Sequence, residues 1–413
     1  MSKVEEEYVL YFIGIDIAKR NHVVGIRQED GQPCGNAFSF SNDEAGFKSL
    51  MERLGASSVD AQKCIVGMEA TGHYWLALYS FLTDHGFDVA VINPIQTDAF
   101  RKTQSIRKTK TDAIDAFMIA EFTRFGGSGL CRVAPEDTEG LKYLTRYRMH
   151  LVSEVTSLKN RATAILDRIF PEYETLFSPL LSPSSMHLLE TLPTPQDIAG
   201  ADIRTVERLL REGSRGRFGR KKADELKALA KTTVGVSFAA QTLGFELAHI
   251  IKLIRHLEGE VGSLNDKIAC LLEKTTGKWL TSIPGIGEVF ASVITAEIGD
   301  ANRFEAPNKL IAYAGIDSSK NQSGEFDGTK AHMSKRGSPY LRWALIQAAD
   351  SVRKQEAYFG DYYDSMKARG KHHYVALSGV ARKLAGLILA LMKEERAYES
   401  RPAIQPKQAS KST

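Results

Sequence analysis

The stretch YVLYFIGIDIA (8–18) decides the fold class. It is rich in β-branched and aromatic residues and ends on a lone acid, Asp16, so it reads as a buried strand with a carboxylate near its C-terminal end. HVVGIRQ (22–28) and NAFSFSN (36–42) follow at hairpin spacing, with Glu-Asp-Gly (29–31) as the turn. DEAGFKSLMERLG (43–55) opens on acids and closes at Gly55 like a capped helix. KCIVGMEA (63–70) is a further buried strand, YWLALYSFLTDHG (74–86) a helix, FDVAVINP (87–94) an apolar strand stopped by Pro94, and TDAIDAFMIAEFTRF (111–125) a helix. Three meandering strands followed by alternating helices and strands predict a mixed sheet with helices on its faces, an α/β domain over 1–130.

Outward from this domain the period changes. Leu141, Leu144, Arg148, Leu151, Val155, Leu158, Ala162, Ile165 and Ile169 follow 3-4 spacing, with one polar break at Arg148. Leu243, Leu247, Ile250, Ile254, Leu257, Val261, Leu264, Ile268 and Leu271 follow 4-3 spacing without a break. Over 131–274 these predict two long heptad helices of the coiled-coil kind, able to pair with each other or with a second copy in a homo-oligomer, dimer or tetramer. Arg148 either sets the register or ends the pairing. Between them, 171–237 holds Pro171, Pro179, Pro183, Pro193 and Pro195 and then the basic GSRGRFGRKK (213–222), and reads as an insertion of short helices and loops. Residues 275–400 form a third, mainly α-helical unit. It opens on the helix–Gly turn–helix pattern SIPGIGEVFASVITAEIGD (282–300) and closes on amphipathic helices, and 401–413 reads as a disordered tail.

Composition narrows the class. With 413 residues, 43% hydrophobic and 25% charged, the chain is neither disordered, collagen-like nor a disulfide miniprotein. No run approaches the roughly 18 apolar residues of a membrane helix, and no secretory signal is expected at the N-terminus. The four cysteines, Cys34, Cys64, Cys131 and Cys270, form no CxxC pair, which fits a reducing, cytoplasmic setting and argues against structural zinc. The net charge of +4 is small, but three segments concentrate cations without acids. These are RKTQSIRKTK (101–110), the stretch 213–222, and KAHMSKRGSPYLR (330–342), and they suit a phosphate-binding surface. Candidate nucleic-acid contacts are Arg101, Lys102, Arg107, Lys108, Lys110, Lys335, Arg336 and Arg342; the alternative for each cluster is a solvated face. Gly285 and Gly287 in Pro-Gly-Ile-Gly resemble a helix-hairpin-helix turn that lets backbone N–H groups reach a phosphate, although a tight helix connection explains them equally.

The carboxylates are the sharpest signal. Asp16 and Glu69 each sit at the end of a strand, and Asp112 and Asp115 stand at i and i+3 at the start of a helix. If the first and fourth strands are neighbours, Asp16 and Glu69 meet at one edge, and the helix brings the aspartates onto them. Four converging carboxylates repel unless divalent cations cancel their charge, and hard oxygen donors suit Mg²⁺. Two ions about 4 Å apart stabilise both the attacking and the leaving oxygen of a phosphodiester exchange. Each acid taken alone has the plainer reading of a cap or surface residue.

GIDIAK, MEATGHYW, INPIQTDAFRK and KTKTDAIDA resemble, in that order, the N-terminal half of the DEDD transposases of bacterial insertion sequences, relatives of the Piv DNA invertase. SIPGIGEVFASVITAEIGD, LIAYAGI, NQSG and KRGSPYLRWALIQAA resemble that family's C-terminal transposase domain. The resemblance implies a RuvC-like, ribonuclease-H-like first domain with Asp16, Glu69, Asp112 and Asp115 as catalytic metal ligands. It also implies a serine nucleophile in the C-terminal domain; the matching motif is Gln322-Ser323-Gly324, so the role falls on Ser323. Read as residues alone, Ser323 is a turn serine with Ser318 and Ser319 as close competitors. The expected function is a transposase or site-specific recombinase that cuts and rejoins donor and target DNA through phosphoserine chemistry. The resemblance further implies guidance by a structured bridge RNA. Two other readings are a RuvC-like nuclease that hydrolyses branched DNA without a covalent step, and a nucleic-acid-binding protein with a dead site.

Overall fold

The computed structural model describes residues 10–57, 59–104, 111–126, 133–317, 322–323, 326–327 and 333–400. Arg107, Lys108, Lys110, Ser318, Ser319 and the tail 401–413 lie outside the described residues. The chain divides into two compact units, 1–135 and 136–413.

The first unit is built on β1 (Tyr11–Asp16), β2 (Asn21–Gln28), β3 (Phe38–Ser41), β4 (Cys64–Glu69) and β5 (Asp88–Ile92). Their order across the sheet is β3-β2-β1-β4-β5. β2 runs antiparallel to β1 and to β3, whereas β1, β4 and β5 run parallel. The central position of β1 follows from its sequence, since Phe12, Ile13 and Ile15 are all buried and leave no solvent face. Helix α1 (Glu44–Ala56) starts at Asp43, whose carboxylate accepts from the Gly46 N–H at 2.8 Å. α2 (Trp75–Asp84) packs beside β5. Pro94 does more than stop β5: it is the first residue of α3 (Pro94–Gln104), as its fixed φ and missing N–H favour. α4 (Asp112–Gly126) then crosses the sheet.

That crossing is very close, because Gly14 of β1 pairs with Gly25 of β2 and with Gly67 of β4, a row of glycines across three strands. A Cβ at Gly14 would lie 2.1 Å from the Ala116 carbonyl oxygen and 2.2 Å from the Ala120 nitrogen. At Gly25 it would lie 2.8 Å from the Phe117 nitrogen, and at Gly67 1.9 Å from Thr123 Oγ1. Backbone of α4 therefore rests on backbone of the sheet.

Among the described residues the second unit is helical apart from one short hairpin. α5 (Glu136–Ile169) and α10 (Ala240–Leu272) lie antiparallel against each other. Arg148 donates to Asn265 Oδ1 at 2.6 Å, Lys159 pairs with Glu258 at 2.6 Å and Arg161 with Glu246 at 2.7 Å. The polar break at Arg148 is thus a cross-helix hydrogen bond, and burial pushes its guanidinium pKa down.

One end of this pair is enclosed by α6 (Pro183–Thr191), α7 (Pro195–Gly200), α8 (Ile203–Gly213) and α9 (Arg220–Thr232), which with Phe170 and Tyr173 form a core of their own. Here 171–237 has the short helices expected of it, and its prolines start two of them. Ser182-Pro183 and Thr194-Pro195 are N-cap and first-turn pairs, and Thr194 closes a capping box with Asp197. The other end packs against α11 (Glu288–Ile298), α12 (Pro307–Ala314), α13 (Pro339–Gln355), α14 (Ala357–Ala368) and α15 (His373–Glu394) around a second core. The segment before the Pro-Gly-Ile-Gly turn is a 3-10 turn, Thr276–Ser282, rather than a helix. By length and composition α15 could cross a membrane, with a mean hydropathy of 1.7, but it has no unbroken apolar run of that length and 67% of the window is buried inside this unit. Leu384, Ile388 and Leu391 belong to its second core.

Candidate active site

Parallel strands end on the same side of a sheet, and Ile15 pairs with Met68, so Asp16 and Glu69 follow side by side at the ends of β1 and β4. The Glu69 carboxylate is held on both oxygens. Thr97 Oγ1, buried on α3, donates to Oε2 at 2.6 Å, and Thr71 Oγ1 donates to Oε1 at 3.3 Å. The glycine row seats α4 on the sheet, with Asp115 one residue before the Ala116 carbonyl that faces Gly14. Asp115 is buried at 5% exposure, and its Oδ1 lies 3.1 Å from Arg101 Nη2. Asp112, at the first position of α4, is exposed. The two aspartates share one turn but not one environment.

Among the described residues, no three acidic, imidazole or thiol groups come close enough together to hold an ion. The donor chemistry nevertheless suits a hard divalent cation: every group is a carboxylate, and the buried Asp115 already takes a cation, the Arg101 guanidinium.

Thr97 and Arg101 were not anticipated as partners of the acids. The signal was their i, i+4 spacing within INPIQTDAFRK, legible once α3 is known to begin at Pro94. Arg101, a candidate phosphate contact, pairs with Asp115, and Lys102 pairs with Asp98 at 2.7 Å on the exposed face.

In the second unit, β6 (Gln322–Ser323) pairs antiparallel with β7 (Phe326–Asp327), placing Ser323 opposite Phe326. The chain leaves α12 at Gly315 and returns to α13 at Ser338, and the two ends of this long loop are tied together. The Ser334 N–H donates to the Asp317 carbonyl at 3.0 Å and the Lys335 N–H to the Gly315 carbonyl at 3.1 Å, while the Ser334 hydroxyl donates to the Asp317 carboxylate. Arg342, another expected phosphate contact, donates to the Ala314 carbonyl at 3.2 Å, capping the end of α12. Lys335 and Arg336 are exposed.

Beneath the return point, Glu297 on α11 accepts from Arg146 at 2.7 and 3.0 Å and from Ser338 Oγ at 2.6 Å. The hydrogen bond to Glu297 raises the Arg146 pKa. Gly285 has φ +96°, and a Cβ there would sit 2.8 Å from the Val352 nitrogen, so its glycine is required by the close approach of α13. Gly287 has open space around it and precedes α11, beside a cavity of about 630 Å³.

The five-stranded mixed sheet, with acids at the ends of two central parallel strands and another on the crossing helix, is compatible with a ribonuclease-H-like domain. Comparison with known proteins then gives the family. Residues 13–171 match a DEDD-type IS110 family model described as a transposase, and residues 277–364 match the transposase IS116/IS110/IS902 family. Together the matches span more than half of the chain, which belongs to the IS110 family of transposases, DNA recombinases of insertion sequences.

Several relatives align over nearly their whole length. The 43.6 kDa protein of insertion element IS110 from Streptomyces coelicolor is 26% identical over 96% of this chain and 97% of its own. The mini-circle putative transposase for IS117 from the same organism is 23% identical over 97% and 98%. The pilin gene-inverting protein of Moraxella bovis is 22% identical over 94% and 98%. The family implies a divalent metal ion and DNA substrates.

Proposed function

We propose that this transposase cuts and rejoins donor and target DNA by transesterification, with Mg²⁺ held by Asp16, Glu69, Asp112 and Asp115 and with Ser323 as the nucleophile. The observation that carries the reading is the register of β1 and β4, whose last pair Ile15–Met68 puts Asp16 and Glu69 next in line at the strand ends, beside a helix that carries Asp115 on a glycine-lined seat. When bound, the metal ions polarise the phosphodiester and stabilise charge on its attacking and leaving oxygens.

The chain's own residues do the rest. Thr97 and Thr71 fix the Glu69 carboxylate. Arg101 neutralises Asp115, whose carboxylate would hold a metal ion in place of the guanidinium. The Ser323 hydroxyl loses its proton and forms a P–O bond to the scissile phosphate, and the DNA sugar oxygen leaves as an alcohol. Attack by a second sugar hydroxyl reverses the step, so the phosphoserine link carries the bond energy into rejoining. The exposed Lys335 and Arg336 contact phosphate. Guidance by a structured RNA of the element, and assembly as a homo-oligomer, belong to the same reading, supported by family membership and the basic clusters. The assignment of 1–130 as the catalytic domain, 131–274 as the paired long helices and 275–400 as the transposase domain completes it.

The test is a trapped reaction on DNA carrying the element's ends. Mass spectrometry should find a DNA adduct on the peptide containing Ser323, and Asp16→Ala or Glu69→Ala should abolish cleavage with the fold intact. An adduct on Ser318 or Ser319 moves the role to that residue. Cleavage without any adduct, and unaffected by Ser323→Ala, replaces the recombinase with the hydrolytic nuclease.

A further inference from the structure

The hairpin of α8 and α9 is built against its own stability. Residues 203–232 hold ten Lys and Arg against four Asp and Glu, a surplus of six cations in a chain whose total net charge is +4. The inner face is ordinary: Val206, Leu209, Leu210, Ala223, Leu226 and Ala230 are buried in the core shared with α5 and α10. The acids are already engaged, Glu207 with Arg211, Glu212 with Arg208, Asp224 with Arg220 and Glu225 with Lys222. Arg215, Arg217 and Lys221 are exposed and have no acidic partner among the described residues.

Two local choices oppose folding. First, α8 ends in a Schellman motif, with the Gly216 N–H donating to the Arg211 carbonyl at 2.9 Å and the Arg215 N–H to the Glu212 carbonyl at 3.4 Å. Arg215 occupies its left-handed position at φ +53°, where a glycine is favoured and an arginine is strained. Second, α9 begins Arg220-Lys221-Lys222 with no acid in its first turn, so cations stand at the positive end of the helix dipole. The turn itself is rigid. The Phe218 N–H donates to Ser214 Oγ at 2.9 Å, and the Phe218 ring packs edge-on to Phe177 at 5.9 Å. A rigid turn that presents unneutralised arginines from a strained position has the character of a functional site rather than a solvated face.

We propose that the α8–α9 turn is a clamp for the phosphodiester backbone of duplex nucleic acid, with Arg215, Arg217 and Lys221 as its phosphate contacts. It rests on the chain acting on nucleic acid, but not on the acidic site or on Ser323. The shared chemistry is a double-stranded phosphate backbone, from DNA or from a base-paired RNA stem.

The full-length chain is titrated by fluorescence anisotropy, without divalent ions, against an arbitrary 30-base-pair DNA duplex and an RNA stem of similar length, across a range of salt. Replacing all three cations by serine should flatten the slope of log affinity against log salt by about 2.7, at about 0.9 per lost contact on duplex DNA, and by a comparable amount on RNA if RNA is the ligand. Whichever probe loses slope identifies the source, and an unchanged slope on both overturns the proposal. Arg215→Gly keeps the assay interpretable: it should raise the melting temperature while weakening binding, a combination that a purely structural arginine cannot give. Binding unchanged by Arg215→Gly also counts against the clamp. Cleavage and adduct formation report on the proposed chemistry, so a failure there leaves the salt slope readable, and the reverse.

Discussion

Gly14→Ala tests the seat of the crossing helix. The added methyl would stand 2.1 Å from the Ala116 oxygen, 2.2 Å from the Ala120 nitrogen and 2.9 Å from the Ala120 Cα. All three are backbone atoms of α4, so no rotamer change relieves the clash. Restoring ordinary contact requires α4 to retreat by more than about 1 Å, and overpacking of this kind costs about 3 kcal/mol, the upper part of the usual range. For a unit of 135 residues this lowers its melting temperature by roughly 10 °C. The same shift carries Asp112 and Asp115 away from Asp16 and Glu69, and a 1 Å misplacement lowers a rate by about 10²-fold. The control is Gly55→Ala, inside α1, where nothing lies within 4 Å of the new methyl; it should be neutral or stabilising by about 0.5–1 kcal/mol. Differential scanning calorimetry and strand cleavage are read on both. A Gly14→Ala protein that melts with the wild type and cleaves normally refutes the argument that backbone contact positions the aspartates.

Three further outcomes are expected. Thr97→Val removes the 2.6 Å hydrogen bond to Glu69 with little change in volume; calorimetric titration should show Mg²⁺ affinity about 10-fold to 100-fold weaker, and unchanged affinity would show that Thr97 does not orient the ligand. Arg101→Gln removes the ion pair of buried Asp115 and should destabilise the metal-free protein by about 2–3 kcal/mol, discounted because Arg101 is 35% exposed. Added Mg²⁺ should then raise the melting temperature more than it does for the wild type; an equal rise contradicts the exchange of guanidinium for metal. Burial, with Asp60 and Asp88 nearby, pushes the Cys64 thiol up to about 12, so it is half ionised only near that pH. At pH 8 about one part in 10⁴ is thiolate, and native alkylation should modify exposed Cys270 and leave Cys64 untouched; rapid labelling of Cys64 would refute it.

The acids were legible because their positions are local facts: a strand ending in Gly-Ile-Asp, another in Met-Glu, and Asp-x-x-Asp opening a helix. The adjacency of Asp16 and Glu69 was legible only as a condition, since it depends on strand pairing. Gly14, Gly25 and Gly67 are scattered along the chain and become a row only through the register of β1, β2 and β4. Thr97 and Arg101 were hidden because Pro94 has two meanings, the end of a strand and the first residue of a helix. Pro183 and Pro195 have the same double meaning: behind Ser182 and Thr194 they are the first residues of short helices. The heptads were plain, but a heptad does not name its partner; the hydrogen bond from Arg148 to Asn265 does.

That bond has a consequence for how the chain can evolve. α5 and α10 are 34 and 33 residues long and antiparallel, so each rises about 50 Å between the two cores of its unit. A heptad inserted into one helix alone would slide every apolar layer past its counterpart and strand the guanidinium against carbon. The spacing of the cores can therefore change only in steps of about 10 Å, through equal insertions or deletions in both helices. Among relatives, the lengths of these two distant segments should grow and shrink together, and a relative in which one lengthens alone would break the rule.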